Sequence, residues 1–187
     1  MKTLLSKEDM LLGLRRFDEL AIAQNKKVRL SIYGGAALLL AFDGVRTATQ
    51  DVDAVIREGK SFAIKAAEKV AEEKGWDKAW LNDAVKGFIS EYDKTNPLDD
   101  WGNKEVGLVI EVAAPEYLLA MKCMAMRQEA DAQDIGDIKF LVQECGFSHP
   151  DEVMDLVEKF YPRAQIPPKV SLGIMSIFQE IENTKSE

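Results

Sequence analysis

The sequence predicts an α/β fold, with a small sheet flanked by helices in the first part of the chain and helices throughout the rest. Two short segments, 28–32 and 51–56, alternate apolar with polar residues, which is typical of half-buried strands. Segments before, between and after them repeat apolar residues at helical spacing. We therefore expect an α/β core at 1–114, followed by a helical region at 115–187 that packs on the core.

Composition limits the class of protein. The chain has 187 residues, 47% of them hydrophobic, and no apolar run reaches the roughly 20 residues of a membrane helix. We expect a soluble, cytoplasmic protein with no export signal and no membrane partner. Two cysteines outside a CxxC pair and a single histidine argue against a disulfide scaffold and a zinc site. The net charge of −8 disfavours coating nucleic acid through bulk positive charge, although it leaves room for a local basic patch.

The elements of the first part follow from caps, periodicity and glycines. Ser6 and Asp9 have capping-box spacing and begin a helix with apolar residues at helical intervals. Gly34 and Gly35 end the first strand, and Gly75 ends an alanine-rich helix. In chain order we predict a helix from Ser6, a strand at 28–32, a helix at 36–42, a strand at 51–56, a helix at 61–74 and a strand at 107–113.

In the rest of the chain, residues 76–106 give weak signals of secondary structure, whereas the segments after them indicate helices. Residues 76–106 hold all three tryptophans and several turn signals, and we assign them to one short helix and loops. Pro115 stands where a helix prefers its first turn, and that helix is expected to continue past Met126. We predict further helices at 134–145, 150–160 and 168–181.

A glycine turn followed by an acidic strand predicts a site for a metal-bound nucleotide. Gly34 and Gly35 carry no side chain, so a phosphate can approach the N–H groups that begin the next helix. Asp51 and Asp53 are two positions apart on a strand and project from the same face. Adjacent carboxylates repel unless a cation joins them, and Mg²⁺ prefers such ligands. Each motif alone is more often a turn or a solvated strand edge.

The order of strand, glycine pair, helix, loop and acidic strand resembles the nucleotidyltransferase superfamily, whose fold is shared with DNA polymerase β. Within it, the sequence is most similar to the AbiEii-like (DUF6036-type) bacterial nucleotidyltransferases, often toxin components of toxin and antitoxin pairs. The resemblance covers residues 30–142, is weakest at 75–106, and is carried by Tyr33-Gly34-Gly35-Ala36-Ala37-Leu38 and Arg46-Thr47-Ala48-Thr49-Gln50-Asp51-Val52-Asp53. Ala36 stands where many relatives have serine, so that hydroxyl contact to phosphate is absent.

The resemblance implies a fold, a reaction and a set of ligands. The fold is a nucleotidyltransferase domain with a small mixed sheet, and the helical region closes its nucleotide cleft. The reaction transfers a nucleoside monophosphate from an NTP to an acceptor hydroxyl, with Mg²⁺ or Mn²⁺ held by Asp51 and Asp53. Gly34, Gly35 and Arg46 are the expected phosphate contacts, although arginines are common in such loops.

The resemblance reappears downstream in Pro115 to Lys122, in Arg127 and in Asp134 to Ile138. Every residue from Tyr117 to Met126 is apolar except Lys122, so the helix is expected to be buried nearly all round. A buried lysine without a partner is energetically costly. It either extends to the surface or faces a polar cleft and binds an anion. The resemblance implies that Lys122 contacts the nucleotide phosphates, supported by Asp134 and Asp137. From the residues alone, these two aspartates are a helix start and a solvated charge.

Glu111 is the candidate for the third metal carboxylate that the superfamily carries on a neighbouring strand. It is the acidic residue within the predicted strand 107–113, and its parity points it away from the larger apolar residues. A solvent-facing glutamate is the alternative. If Glu111 does not face Asp51 and Asp53, the competing interpretation gains weight, namely a non-catalytic binding module of the same fold with an incomplete metal site.

The acceptor is predicted from local charge and from the resemblance. The first 30 residues carry seven basic against four acidic residues, a local charge of +3. Such a surface fits an RNA end beside an acidic cleft. The resemblance points to transfer RNA as the acceptor and to a cognate antitoxin as a partner. The basic residues are Lys2, Lys7, Arg15, Arg16, Lys26, Lys27 and Arg29.

Overall fold

The computed structural model describes residues 4–102, 104–126 and 132–185. It confirms the α/β class, with helices and one five-stranded mixed sheet among these residues. The chain divides into two compact units, which we call the sheet unit (Met1–Gly87 with Thr95–Ala113) and the helical unit (Phe88–Lys94 with Ala114–Glu187). In the part of the chain that is described, no helix is both long and apolar enough to cross a membrane.

The sheet unit is built around its central strand. Its elements are α1 (Lys7–Ala23), β1 (Lys27–Ile32), α2 (Gly34–Ala41), β2 (Val52–Glu58), α3 (Lys60–Lys74), β3 (Leu81–Asn82), β4 (Thr95–Pro97) and β5 (Gly107–Ala113). The strand order is β3-β2-β1-β5-β4. β1 runs parallel to β5 and antiparallel to β2, so the sheet is mixed, as predicted.

The core of the sheet unit explains why these residues form these elements. α1 begins at the predicted capping box, in which the Ser6 hydroxyl accepts the Asp9 N–H at 3.1 Å and the Asp9 carboxylate accepts the Ser6 N–H at 3.0 Å. Its apolar side is buried, and α1 and α3 pack on each other. Trp80 is 1% exposed, and its indole N–H donates to the Ala67 carbonyl of α3 at 2.9 Å. This anchors the chain just before β3.

The helical unit consists of helices and one separate segment of chain. Its helices are α4 (Pro115–Ala125), α5 (Ala132–Glu144), α6 (Pro150–Phe160) and α7 (Pro168–Lys185). The segment Phe88–Lys94 belongs to this unit through hydrogen bonds. The Ser90 N–H donates to the Tyr117 hydroxyl at 2.8 Å, and the Tyr161 hydroxyl donates to the Phe88 carbonyl at 3.2 Å.

Three predictions about elements are corrected. Residues 76–106 contain the strands β3 and β4 and two 3-10 turns, where we expected one short helix and loops. α4 ends at Ala125 rather than continuing past Met126, because the backbone of Met126 is not helical, with φ of −54° and ψ of 128°. The Met126 side chain packs against Gly173 of α7, in the space that a Cβ there would fill. α7 runs to Lys185, beyond the predicted end at 181. Arg127 lies outside the described residues.

Candidate functional site

The glycine turn lies at the end of β1 and begins α2. Gly34 adopts the left-handed conformation, with φ of 62°, which a residue with a Cβ rarely adopts. The N–H of Tyr33 donates to the Asp53 carbonyl at 2.8 Å, which ties the turn to β2. A Cβ atom placed on Gly34 would lie 3.0 Å from Oδ2 of Asp53, and one on Gly35 would collide with the Arg46 guanidinium. The turn therefore brings a helix N-terminus, a carboxylate and a guanidinium together.

The acidic pair lies at the start of β2. Asp51 immediately precedes the strand, and Asp53 is its second residue. Both are half-buried, whereas Val52 and Ala54 between and after them are buried at 0% and 1% exposure. This alternation puts the two carboxylates on the side of β2 opposite to the apolar residues. The Asn82 side-chain amide of β3 donates to Asp51 at 3.3 Å, a contact that the sequence did not predict.

Glu111 lies on β5 and is engaged by its neighbours. Its carboxylate accepts hydrogen bonds from the Thr95 hydroxyl at 3.1 Å, the Ser31 hydroxyl at 3.4 Å and the Arg29 guanidinium at 3.4 Å. These partners show that Glu111 points to the polar side of the sheet, and 23% of its side chain is exposed. Thr95 went unnoticed in the sequence because β4 has too few residues to show a pattern.

The three carboxylates do not form one cluster. β1 separates β2 from β5, and Ser31 of β1 pairs with both Glu111 and Val55. Glu111 is therefore level with Val55, and its backbone is farther from that of Asp53 than two strand spacings, roughly 10 Å. Among the residues described, no three His, Cys, Asp or Glu side chains are grouped so that they could hold a metal ion. The assignment of a metal to Asp51, Asp53 and Glu111 stays a prediction.

The polar side of the sheet also carries Arg57, which the sequence did not single out. The pairing of β1 with β2 shifts register between Arg29 and Leu30, and this irregularity lies opposite Arg57. The Arg57 guanidinium donates to the Ser31 hydroxyl at 3.1 Å and to the Tyr33 hydroxyl at 2.8 Å. Ser31 therefore connects the guanidinium on β2 to the Glu111 carboxylate on β5.

Lys122 lies in the helical unit and contacts two carboxylates. Its Nζ is 2.7 Å from Oδ1 of Asp134 and 2.7 Å from Oδ2 of Asp137. The lysine side chain is 13% exposed, so it does not extend freely to the surface. Asp137 is 2% exposed and Asp134 is 45% exposed, so the two partners differ sharply in their access to water. A role for these three residues in binding nucleotide stays a prediction.

The basic residues near the start of the chain are partly neutralised by ion pairs. Arg16 contacts Glu73 at 2.6 Å and Glu19 at 2.8 Å, and Lys7 contacts Asp43 at 2.7 Å. The hydrogen bond from Arg16 holds the pKa of Glu73 below its ordinary value. Lys2 lies outside the described residues. The local charge of +3 therefore overstates the positive surface that this segment presents to an acceptor.

The two cysteines lie in surroundings that disfavour the thiolate. Burial raises the pKa of the Cys123 thiol to about 12. Burial, together with the nearby Glu116 and Glu144 carboxylates, raises the pKa of the Cys145 thiol to about 11. Both thiols therefore stay protonated near neutral pH, and the thiolate is the reactive form.

Comparison with known proteins assigns no family and no function to the chain. No protein-family model, no curated protein and no solved structure matches the chain. The nucleotidyltransferase resemblance therefore rests on the sequence motifs alone and stays a prediction.

Proposed function

We propose that this protein is a metal-dependent nucleotidyltransferase, which moves a nucleoside monophosphate from an NTP to an acceptor hydroxyl. The observation that supports this most is the approach of Asp53 to the glycine turn, where a Cβ on Gly34 would lie 3.0 Å from the carboxylate. A phosphate bound at the N-terminus of α2 would therefore lie beside the acidic pair. This juxtaposition is what a metal-bound triphosphate requires.

The donor set fits a hard divalent ion. Asp51 and Asp53 offer carboxylate oxygens on one side of β2, and no side chain of the glycine turn stands in front of them. A Mg²⁺ or Mn²⁺ ion held by the two would neutralise phosphate charge and lower the pKa of the attacking hydroxyl. Glu111 remains a candidate only if it moves toward the pair.

The residues of the chain have separate tasks in this mechanism. The first N–H groups of α2 lack acceptors within the helix and would donate to phosphate oxygens. The Arg46 guanidinium, which lies against Gly35, would neutralise charge on the same phosphates. The acceptor oxygen forms a bond to the α-phosphorus while the bond to pyrophosphate breaks.

The test of this proposal is label transfer. The protein is incubated with Mg²⁺, each of four labelled NTPs and total cellular RNA, and we expect label on small RNA with at least one NTP. Asp53→Ala should remove the label. Asp43→Ala is the matched control, because Asp43 is an exposed carboxylate of the neighbouring loop that pairs with Lys7. Label on polypeptide alone would make a protein the acceptor and would contradict the RNA assignment.

A second candidate function is a non-catalytic nucleotide-binding module of the same fold. The observation that favours it is the separation of Glu111 from the acidic pair, with no group of three metal ligands among the described residues. This module would bind Mg²⁺ and NTP and transfer nothing. Mg²⁺ should then raise the melting temperature, because a ligand that binds only the folded state stabilises it. Asp51→Asn with Asp53→Asn should abolish that rise.

A partner antitoxin belongs to the same proposal and rests on the resemblance alone. The relevant measurement is whether co-expression with the product of a neighbouring gene changes the label transfer described above. Unchanged transfer with every neighbour would contradict this part of the proposal, while the transferase assignment would stand.

A further inference from the structure

The solvent side of α1 carries an open groove of about 400 Å³. All of the side chains that line it belong to this one helix, namely Lys7, Glu8, Leu11, Leu12 and Arg15. Leu12 is 43% exposed. Ile22, near the end of the helix, is 53% exposed and lies within roughly 80° of Leu12 around the helix axis. One side of α1 therefore presents apolar surface to water along most of its length.

Two opposite charges flank the leucines of this groove. Glu8 lies three residues before Leu11, and Arg15 lies three residues after Leu12, so all four side chains share the solvent side of the helix. Glu8 and Arg15 are exposed, and in the part of the chain that is described neither has an ion-pair partner. The groove thus has an apolar centre with one unpaired charge of each sign on either side.

The other two cations of this part of the helix are already neutralised within the chain. Lys7 pairs with Asp43 at 2.7 Å, and Arg16 pairs with Glu73 at 2.6 Å. The charges that remain to be matched by a partner are therefore those of Glu8 and Arg15.

This pattern is complementary to itself under two-fold symmetry. An axis that crosses α1 between Leu11 and Leu12 sets Glu8 of one copy opposite Arg15 of the other, and the same pair recurs on the far side. The leucines of both antiparallel helices then surround the axis, with each ion pair roughly 5 Å from it along the helix. An axis two residues farther along would set Glu8 against Glu19, and an axis at Arg15 would set the two arginines against each other.

We propose that the solvent side of α1 is a self-association surface, on which a second copy of the chain docks its own α1 in antiparallel orientation with reciprocal Glu8–Arg15 ion pairs. A second copy fits better than nucleic acid, because the groove contains a carboxylate that repels phosphates and has leucines at its centre. One helix pair is a small interface, so the dimer is weak. The proposal concerns association and does not depend on the proposed function.

The experiment is sedimentation velocity of the full chain between about 1 and about 200 µM, the range in which a weak dimer forms. We expect the wild type to shift from monomer to dimer as its concentration rises. Glu8→Arg and Arg15→Glu each place like charges opposite one another at both ends of the interface, so each should weaken dimerisation at least about tenfold. Leu12→Asp, which puts a charge at the apolar centre, should remain monomeric throughout.

The decisive measurement mixes the Glu8→Arg chain with the Arg15→Glu chain. In a mixed dimer the two substituted side chains have opposite charges and face each other, and the two unsubstituted ones do the same. The mixture should therefore dimerise as tightly as the wild type, although neither chain does so alone. The double variant with both substitutions in one chain should also regain the affinity of the wild type.

Two controls separate this contact from general effects of charge and from unfolding. Leu172→Asp is the matched control for Leu12→Asp, because Leu172 is a 67% exposed leucine of α7 that does not line the groove, and it should dimerise like the wild type. Thermal unfolding verifies that each variant folds. A small decrease in melting temperature is expected for Glu8→Arg, because Glu8 lies in the first turn of α1, where a cation opposes the helix dipole.

The outcomes decide on the surface, the register and the occupant. A wild type that stays monomeric at every concentration overturns the proposal, as does a dimer that neither charge reversal weakens. A mixture of the two charge-reversed chains that stays monomeric overturns the antiparallel register. A monomeric wild type whose binding to RNA is lost in Arg15→Glu would make nucleic acid the occupant. Label transfer that depends on Asp53 tests the proposed function separately, so either idea can fail while the other stands.

Discussion

Adjacent glycines at the start of α2 provide a matched pair of substitutions, Gly34→Ala and Gly35→Ala. Each adds one methyl group, but the two positions differ in backbone conformation and in what the methyl group meets. Gly34 has φ of 62°, and its added Cβ would lie 3.0 Å from a carboxylate oxygen of Asp53. The Cβ on Gly35 would meet the guanidinium end of Arg46, which is a flexible side chain, and would lie 3.0 Å from the hydroxyl oxygen of Thr49.

The magnitudes follow from these contacts. A left-handed conformation costs a residue with a Cβ about 1–2 kcal/mol, and the tight contact forces Asp53 to shift by a few tenths of an ångström. We expect Gly34→Ala to lower the free energy of unfolding by about 2 kcal/mol, a melting temperature decrease of about 4–8 °C for this chain length. Gly35→Ala gains less than the roughly 1 kcal/mol that separates alanine from glycine in a helix interior, because Gly35 is the second residue of α2, and this gain partly offsets the displacement of Arg46. Its stability should stay within about 1 kcal/mol of the wild type.

The assay combines thermal unfolding with calorimetric titration of Mg²⁺ and NTP. Gly34→Ala should be less stable, and Gly35→Ala should fold normally but bind NTP more weakly, because the guanidinium no longer lies against the turn. A melting temperature for Gly34→Ala equal to that of the wild type would refute the conformational argument. Unchanged NTP affinity in Gly35→Ala would refute the role of Arg46 at the turn.

Four further predictions concern stability and the reactivity of the cysteine thiols. Hydrogen bonds from the Ser6 side chain, and then from its backbone, hold the pKa of Asp9 below its ordinary value. Their contribution to the free energy of unfolding is therefore present above about pH 4 and is lost as the pH falls through the pKa of Asp9 in the folded protein. Ser6→Ala should therefore cost about 1 kcal/mol at pH 7 in urea unfolding and less at pH 3. Iodoacetamide should label Cys123 and Cys145 at pH 8 only when urea is present. Because the unfolded thiols ionise near pH 8.5 and the native ones at about 12 and about 11, stability should fall as pH rises above about 9. Trp80→Phe removes the hydrogen bond to α3 and should cost about 1–2 kcal/mol, as measured by urea unfolding.

The sequence predicted the helix ends that depend on residues close together in the chain, such as caps and glycines. The capping box at Ser6 and Asp9 fixed where α1 begins, and Gly75, with φ of 68°, ends α3. β3 and β4 have two and three residues, and such short strands carry no periodicity. They exist because β2 and β5 offer edges on which a passing chain can pair. At the end of α4, Met126 packs against Gly173 of α7, a contact between residues distant in sequence that local signals do not show.

The sequence likewise predicted some features of the candidate site and not others. The pattern predicted the first strand, the glycine turn and the acidic strand. It did not predict the antiparallel pairing of β1 with β2 that brings Asp53 close to Gly34. The parity of Glu111 was also predicted, and its hydrogen-bond partners confirm the side of the sheet to which it points. Its partners across the sheet could not be predicted without the strand order. Lys122 was singled out as a costly buried charge, yet the sequence did not predict that both aspartates hold it.

The segment Phe88–Lys94 gives the protein a connectivity in which neither unit is a continuous stretch of chain. The polypeptide passes from one unit to the other after Gly87, returns after Lys94 and passes again after Ala113. A chain truncated at Ala113 would keep this segment but lose Tyr117, whose hydroxyl accepts the Ser90 N–H. Splitting the protein after Ala113 would leave the first fragment with residues 88–94 but without the helices they contact, and the second fragment without that part of its unit. Genetic dissection of the two units therefore requires replacing residues 88–94 with a short linker, or supplying them in a circularly permuted chain.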